Sequence, residues 1–366
     1  MIVLTAAPFG FGPASALHAT LSANHGRVDQ DHVVLVPDAL RPVFGDLTGL
    51  NVMAGDSNHV AELCRSLDPL PQIINFGNLD LLALGPSSRR HIFVDCVGWL
   101  TPRLLNGLPI PPQHSYDHVV EYFPPTHPDR LPSKAVLARP ALSPFPQARP
   151  EKSGDHIVIC LGGGCFPGHG DVATGLERVA EQIAQVASTF LPVCEVYITG
   201  GSEFNVQGAK HAGPVAHSEH LNLLATSRLV VTVPGLYTVF ECLRLQVPVL
   251  LLPPTNYTQI VQFHWYASKG LAHPSAHWNR ILKIPQLKSV ATDYTTEAEI
   301  TRNLRRSLKT SVVTQTITDA LVEAIGDLLE TRSTETDFAA FDPHFRHFFR
   351  SDLPSIGDLI WGSYGN

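Results

Sequence analysis

The chain has 366 residues, of which 44% are hydrophobic and 16% charged, a composition that supports a sizeable core and is unlike that of a disordered chain. At about 150 residues per domain, this length suggests two domains. The 26 Lys and Arg against 33 Asp and Glu give a net charge of −7. No basic stripe is present, which argues against sequence-independent binding of nucleic acid through its phosphates.

The opening Met1-Ile2-Val3-Leu4-Thr5-Ala6-Ala7-Pro8 has no basic leader and reads as a first strand rather than a signal peptide. Short β-branched runs bounded by turn residues follow at Val33–Val36, Ile73–Phe76 and Ile92–Val94. With Ile2–Thr5 they suit strands of a parallel sheet buried on both faces. Helix-length stretches lie between them, such as Ala14–Asn24 and His59–Leu67, and that alternation predicts a doubly wound α/β domain. Pro140 to Ser153 carries Pro140, Pro144, Pro146 and Pro150 with little periodicity and reads as a linker.

A second α/β series starts directly afterwards. Strand His156–Leu161 runs into Gly162-Gly163-Gly164, followed by helix Val172–Phe190, strand Cys194–Thr199 and helix His220–Ala225. Strand Leu229–Val233, helix Thr238–Leu245, strand Val249–Leu252 and helices Thr258–Lys269 and Thr314–Leu329 complete it. The expected organisation is therefore α/β, two Rossmann-like doubly wound domains facing a cleft: residues 1–148, which would bind an acceptor, and 149–331, which would bind a nucleotide. The segment 332–366 holds Phe338, Phe341, Phe345, Phe348, Phe349 and Trp361, too aromatic for a free tail, and is expected to pack back on the body.

Six cysteines form no Cys-x-x-Cys pair and sit mostly in apolar runs, as buried thiols of a reducing compartment do. No uninterrupted apolar run reaches the ~18 residues of a membrane span. A cytoplasmic protein is the expectation, with no membrane association and a homodimer as an option.

The chemistry concentrates in Ser227–Ala272. A strand ends in Pro234-Gly235 and a helix follows, carrying Thr238 and, a turn later, Glu241. Glycine before a helix start lets backbone approach a ligand, and the free N–H groups there favour a phosphate. Thr238 and Glu241 have the spacing of a Thr-x-x-Glu capping box, which would make Glu241 purely structural. Alternatively, Glu241 accepts hydrogen bonds from two ribose hydroxyls, as acidic residues do in dinucleotide sites.

The order Gly235-Leu236-Tyr237-Thr238-Val239-Phe240-Glu241, Val247-Pro248 through Pro253, then Gln259-Ile260-Val261-Gln262 resembles the donor half of GT-B glycosyltransferases. Two members are nearest in pattern: the enzyme adding N-acetylglucosamine to the lipid-linked peptidoglycan precursor, and the related hydrolase releasing UDP from a UDP-linked sugar. The resemblance is close over Ser227–Ala272 and looser over the rest of the second domain. It implies that Glu241 holds the ribose, Thr238 a phosphate oxygen, and Gln259 and Gln262 the donor sugar. The chain departs from the pattern in Pro234, in the bulky Tyr237, and in Gln262 where the pattern has Asn.

The resemblance also places a diphosphate near the Gly163 and Gly164 backbone, although glycines in tight strand-to-helix turns serve steric needs as well. It puts Ser218 near the base, with His217 stacking on it. The other reading of His217 and His220 is a loop surface or helix cap. Among His211, His217 and His220 no acidic or cysteine ligand stands at metal-binding spacing. Neither metal nor cofactor is expected, the nucleotide sugar being a co-substrate.

In the first domain Gly10, Phe11 and Gly12 occupy the family's acceptor loop, and Trp99 is a candidate for stacking on an acceptor. Many relatives place a base histidine directly after the last glycine. Here Pro13 stands there, with His18 further along the helix as either a packed residue or a base. Asp95 ends the strand His91–Val94 at the carboxyl edge, where open α/β sheets bind ligands. It reads as a general base for the acceptor hydroxyl or as a cap on the next turn.

These readings converge on an inverting glycosyltransferase moving a sugar from a nucleotide-diphosphate donor, expected to be a UDP-sugar, to a hydroxyl of a soluble small-molecule acceptor. A nucleotide-sugar hydrolase and a non-catalytic nucleotide-binding subunit of the same fold are the alternatives. A dehydrogenase fits less well, because Gly10 and Gly12 lack the third glycine, position 15 being Ser15.

Overall fold

The computed structural model describes residues 1–7, 11–29, 31–98, 116–123, 131–132, 134–143, 156–162, 176–190, 195–200, 208–271, 273, 278–282, 294–330 and 352–362. The chain divides into two compact units, one of Met1–Phe145 with Pro343–Asn366, the other of Pro146–Asp342.

The first unit is built on seven parallel strands: β1 Ile2–Ala6, β2 His32–Val36, β3 Asn51–Ala54, β4 Gln72–Phe76, β5 Arg90–Asp95, β6 Asp117–Glu121 and β7 Val136–Ala138. Their order is β3-β2-β1-β4-β5-β6-β7. The central strands are Val- and Ile-rich because both faces of a parallel sheet are covered. Val3, Leu4, Ile73, Ile74 and Ile92 are accordingly buried, as is Phe93. Helix Ser57–Ser66 presents Val60, Ala61 and Cys64 to Val3, Leu35 and Ile73. Helix Gly12–Ala23 follows β1 with Pro13 in its first turn, where the missing N–H and fixed φ of proline cost nothing.

The final helix, Ile356–Trp361, belongs to this unit and starts in a capping box between Ser355 and Asp358. Its Trp361 indole donates to His32 Nε2 at 3.2 Å, and Arg139 N–H donates to the Pro354 carbonyl at 3.0 Å.

The second unit carries five parallel strands, β8 His156–Cys160, β9 Glu195–Thr199, β10 Lys210–Gly213, β11 Leu229–Thr232 and β12 Val249–Leu251, in the order β10-β9-β8-β11-β12. Helix Leu176–Phe190 buries Val179, Ala180, Ile183, Ala184 and Ala187, a stripe at helical spacing. Thr318 on helix Ser311–Glu330 donates to Gln182 of that helix.

In both units the strand order reverses direction beside the first strand, between β1 and β4 and between β8 and β11. Such switch points open a crevice at the carboxyl ends of the strands, where doubly wound folds bind ligands. Among the described residues no helix is long and apolar enough to cross a membrane. The cysteines Cys64, Cys96, Cys160 and Cys242 are buried thiols outside any disulfide.

Candidate functional site

The second unit's switch point is framed by Gly162 after β8 and by Pro234-Gly235 after β11. Gly162 has φ +70°, and a Cβ there would stand 3.1 Å from the Val233 side chain. The fold itself thus demands a glycine at that position. Gly235 differs: its φ is −96° and its ψ is 163°, ordinary extended values, and a Cβ would meet nothing closer than the Val233 carbonyl at 3.8 Å. Neither backbone conformation nor packing requires glycine at 235, so its bareness leaves space over the start of the next helix.

That helix is Leu236–Leu245, capped by Gly235 with no side-chain hydrogen bond at its N-terminus. No capping side chain takes up its first N–H groups, and the helix dipole favours an anion there. The Tyr266 hydroxyl, from helix Tyr257–Ser268, donates to the Gly235 carbonyl at 2.9 Å and pins the turn from outside. Thr238 lies in the first turn and is half-buried. The cap is Gly235 rather than Thr238, so Thr238 and Glu241 do not form a capping box.

Glu241 lies deeper in the same helix with 2% of its surface exposed. His217, the first residue of helix His217–Thr226, places Nε2 3.3 Å from Glu241 Oε1, an ion-pair distance. Burial pushes the Glu241 carboxyl upward, but His217, His220 and Arg244 together outweigh it and leave the group below its ordinary value. The neighbouring His220 ring, centred 6.4 Å from that of His217, is pushed down to about 4, chiefly by burial. It is thus neutral near pH 7.

Ser218 is exposed beside His217. Gln259 Oε1 accepts from Thr255 N–H at 2.7 Å and from Thr255 Oγ1 at 3.0 Å, so its carboxamide oxygen is engaged by its own loop. Gln262 is buried on the same helix. Gly163 and Gly164 lie outside the described residues.

In the first unit Phe11 caps helix Gly12–Ala23, and both Phe11 and Gly12 are half-buried. Gly10 and Trp99 lie outside the described residues. His18 is buried and holds Asp46 Oδ1 at 2.8 Å through Nε2, with the Phe44 ring 6.1 Å away. Asp95 ends β5 with both oxygens engaged. Oδ1 accepts from Val97 N–H at 2.9 Å, which is the turn cap, and Oδ2 stands 3.0 Å from His118 Nε2. Both side chains of the Asp95–His118 pair are 1% exposed. His118 was not singled out in the sequence, because only the parallel register of β5 and β6 brings it beside Asp95.

No protein-family model matches the chain, and no curated protein matches it. Among solved structures it is similar to a spinosyn rhamnosyltransferase, SpnG, complexed with thymidine diphosphate, at 15% identity over 98% of each chain with a TM-score of 0.49. It is also similar to Medicago truncatula UGT71G1 complexed with UDP-glucose, at 14% identity over 95% of this chain and 98% of that one, TM-score 0.45. A third is Arabidopsis thaliana UGT89C1 complexed with quercetin, at 13% identity over 95% and 99%, TM-score 0.43.

Proposed function

We propose that the protein is an inverting glycosyltransferase that moves a sugar from a nucleoside-diphosphate donor, a UDP-sugar, to a hydroxyl of a small soluble acceptor. The observation that carries this reading is Glu241: a buried carboxylate held below its ordinary pKa, on a helix that starts on a glycine, without a capping side chain, at the switch point of the five-stranded sheet. Its place in the Gly235-to-Glu241 motif supports the same assignment.

On this reading the second unit holds the donor. Glu241 accepts from the ribose hydroxyls, and the diphosphate lies over Gly235 and Thr238, with the Gly163 and Gly164 backbone beside it. Ser218 attends the base, and Gln259 and Gln262 face the sugar. The first unit holds the acceptor through Gly10, Phe11, Gly12 and Trp99, and supplies the general base, for which His18 is the candidate, both oxygens of Asp95 being taken up by the turn after β5 and by His118. The acceptor oxygen attacks the anomeric carbon as its proton passes to that base. The bond from carbon to the diphosphate oxygen breaks, and the charge that develops on the leaving group is met by the helix N-terminus. No metal is needed for that stabilisation, and a cytoplasmic setting suits both donor and thiols.

Pro13, where the family places its base, favours a second reading, a nucleotide-sugar hydrolase in which water replaces the acceptor. Stoichiometric UDP release without acceptor distinguishes it from the slow leakage of a transferase.

The test is a thermal-shift series with UDP, dTDP, GDP, CDP and NAD on the wild type and Glu241→Ala. A ligand at 100 times its dissociation constant adds about 2.7 kcal/mol to the folded state. Stabilisation by UDP that disappears in the variant is the expected result. Stabilisation by NAD, or by none of the five, overturns the proposal.

A further inference from the structure

We infer that helix Tyr294–Leu308 is the positioning element for Gln259: through Glu297, Thr301 and Arg305 it holds the segment that carries this side chain, and so sets the sugar end of the donor site. The inference rests on the donor-site reading above and goes beyond it by assigning roles to three residues outside the motif.

These residues recur at every fourth position and lie on one face of their helix. A polar stripe of that kind belongs to the solvent side of a helix, yet all three are buried. Each finds its partner within residues 255–258. The Thr301 hydroxyl accepts from Tyr257 N–H at 3.2 Å, and Arg305 Nε donates to the Thr255 carbonyl at 3.3 Å. Glu297 is hydrogen-bonded to Thr258.

The segment held in this way fixes Gln259 in turn. Asn256 Oδ1 accepts from Gln259 N–H at 2.9 Å and caps the helix start. Thr255 gives both its N–H and its hydroxyl to Gln259 Oε1. Both lone pairs of that oxygen are then taken, and the carboxamide NH2 is the group left for a ligand. A sugar hydroxyl oxygen is a suitable acceptor for it.

Glu297 is the one of the three whose hold depends on protonation. Its Oε2 is buried and has no partner among the described residues. Burial raises the carboxyl to about 7, and the Thr258 hydrogen bond lowers it by less. The helices packed on its own carry His264, from Tyr257–Ser268, and Asp319, Glu323 and Asp327, from Ser311–Glu330. Its own helix adds Glu299, Arg302, Arg305 and Arg306. None of these charges acts on Glu297. The neutral acid therefore fits the interface, whereas the ionised one is a buried charge without a counter-ion, and the helix start facing it must open to hydrate it.

The experiment has two arms, both on the full chain. Isothermal titration compares UDP with UDP-glucose, UDP-galactose and UDP-N-acetylglucosamine, and the sugar nucleotide bound most tightly is carried to the variants. Thr301→Val removes the acceptor for Tyr257 N–H and is expected to weaken that ligand about fivefold, with UDP changed by less than about twofold. Thr301→Ser keeps the hydroxyl and should behave as the wild type. Should Thr301→Val not fold, Arg305→Met, which removes the donor to Thr255, takes its place with the same expectation. Equal weakening of both ligands, as a merely structural role predicts, overturns the inference, and so does weakening of neither.

The second arm is amide hydrogen exchange near pH 6 and near pH 8, corrected for intrinsic rates. Opening at residues 255–260 should rise about tenfold between the two, the factor for a carboxyl moved from 4.5 to about 7. Glu297→Gln should abolish that rise. The same amides should exchange faster than those of β11, because a helix start opens without the sheet. No rise, a rise that persists in Glu297→Gln, or exchange no faster than that of β11 overturns the inference. Sugar nucleotides that bind no differently from UDP overturn it while leaving the nucleotide site intact. Failure of UDP to bind the wild type overturns the donor reading, and the inference with it.

Discussion

Among the described residues each unit has a carboxylate and an imidazole that are both almost wholly buried against each other, and the two pairs stand differently to the backbone around them. Asp95 and His118 meet at 3.0 Å with 1% of either side chain exposed. Glu241 and His217 meet at 3.3 Å and are nearly as buried. In the first pair the carboxylate closes the turn after β5 with one oxygen and ties β5 to β6 with the other. Its position follows from the fold. In the second pair the carboxylate lies well inside a helix, ends no strand, and caps no helix, Gly235 being the cap. Burial and an ionic partner therefore do not mark a binding site by themselves. The distinguishing feature is whether the backbone around the carboxylate already accounts for it.

The strongest way to break that comparison is Asp95→Ala. Removing one partner of a buried pair costs about 3–5 kcal/mol, here together with the turn hydrogen bond. Urea denaturation should show that loss, while UDP still stabilises the protein that remains folded. A loss below about 1 kcal/mol would show that the first pair is not structural after all.

Glu297 sharpens the contrast from the other side. It is a buried carboxyl on helix Tyr294–Leu308, with Oε2 unpartnered among the described residues and no imidazole beside it in the structure's ion pairs. Burial raises it from 4.5 to about 7, against a smaller lowering by the Thr258 hydrogen bond. An acid whose folded pKa exceeds its unfolded one stabilises the fold below the unfolded value and loses that stability as pH rises through the folded one. Glu297→Gln should therefore match the wild type near pH 4 and exceed it above pH 7 by on the order of 3 kcal/mol. A difference that stays flat across a pH scan of denaturation midpoints would mean that Glu297 ionises normally despite its burial.

The smallest effect tests how the second unit holds its helix start. Tyr266→Phe removes the hydroxyl that donates to Gly235 and should cost about 1 kcal/mol in thermal denaturation, leaving the UDP-induced shift in place. Loss of that shift would show that the Gly235 turn depends on Tyr266 for its shape.

Much of the sheet framework was legible because buried parallel strands announce themselves as β-branched runs. The Ile73–Phe76 expectation meets β4 Gln72–Phe76, and Leu229–Val233 meets β11 Leu229–Thr232. Of the four edge strands only β12, Val249–Leu251, carries that signal, meeting the expectation Val249–Leu252. β3, Asn51–Ala54, is mostly exposed, and β7 and β10 are short with lysine or exposed valine, so none of these three was foreseen. The inner strand β6, Asp117–Glu121, with its polar ends, was not foreseen either. Helix His217–Thr226 starts before the expected His220, and Leu236–Leu245 before Thr238. Both differences come from caps that lack a side-chain signature. Glu241 could be singled out from its motif, but its approach to His217 could not. Glu297 could not be found either, because its burial depends on which helix faces it. Such contacts between residues remote in sequence leave no local pattern to read.

The docking of helix Ile356–Trp361 on the first unit has a consequence for how the protein is made. The second unit is one uninterrupted stretch, Pro146–Asp342, set within the two parts of the first. Domains usually complete in the order in which they leave the ribosome. Here that order is inverted for the closing contacts. The Trp361–His32 hydrogen bond joins a helix made after the whole second unit to a strand made before it, so the first unit stays open at that edge until that helix has been synthesised, whereas the second has all its residues earlier.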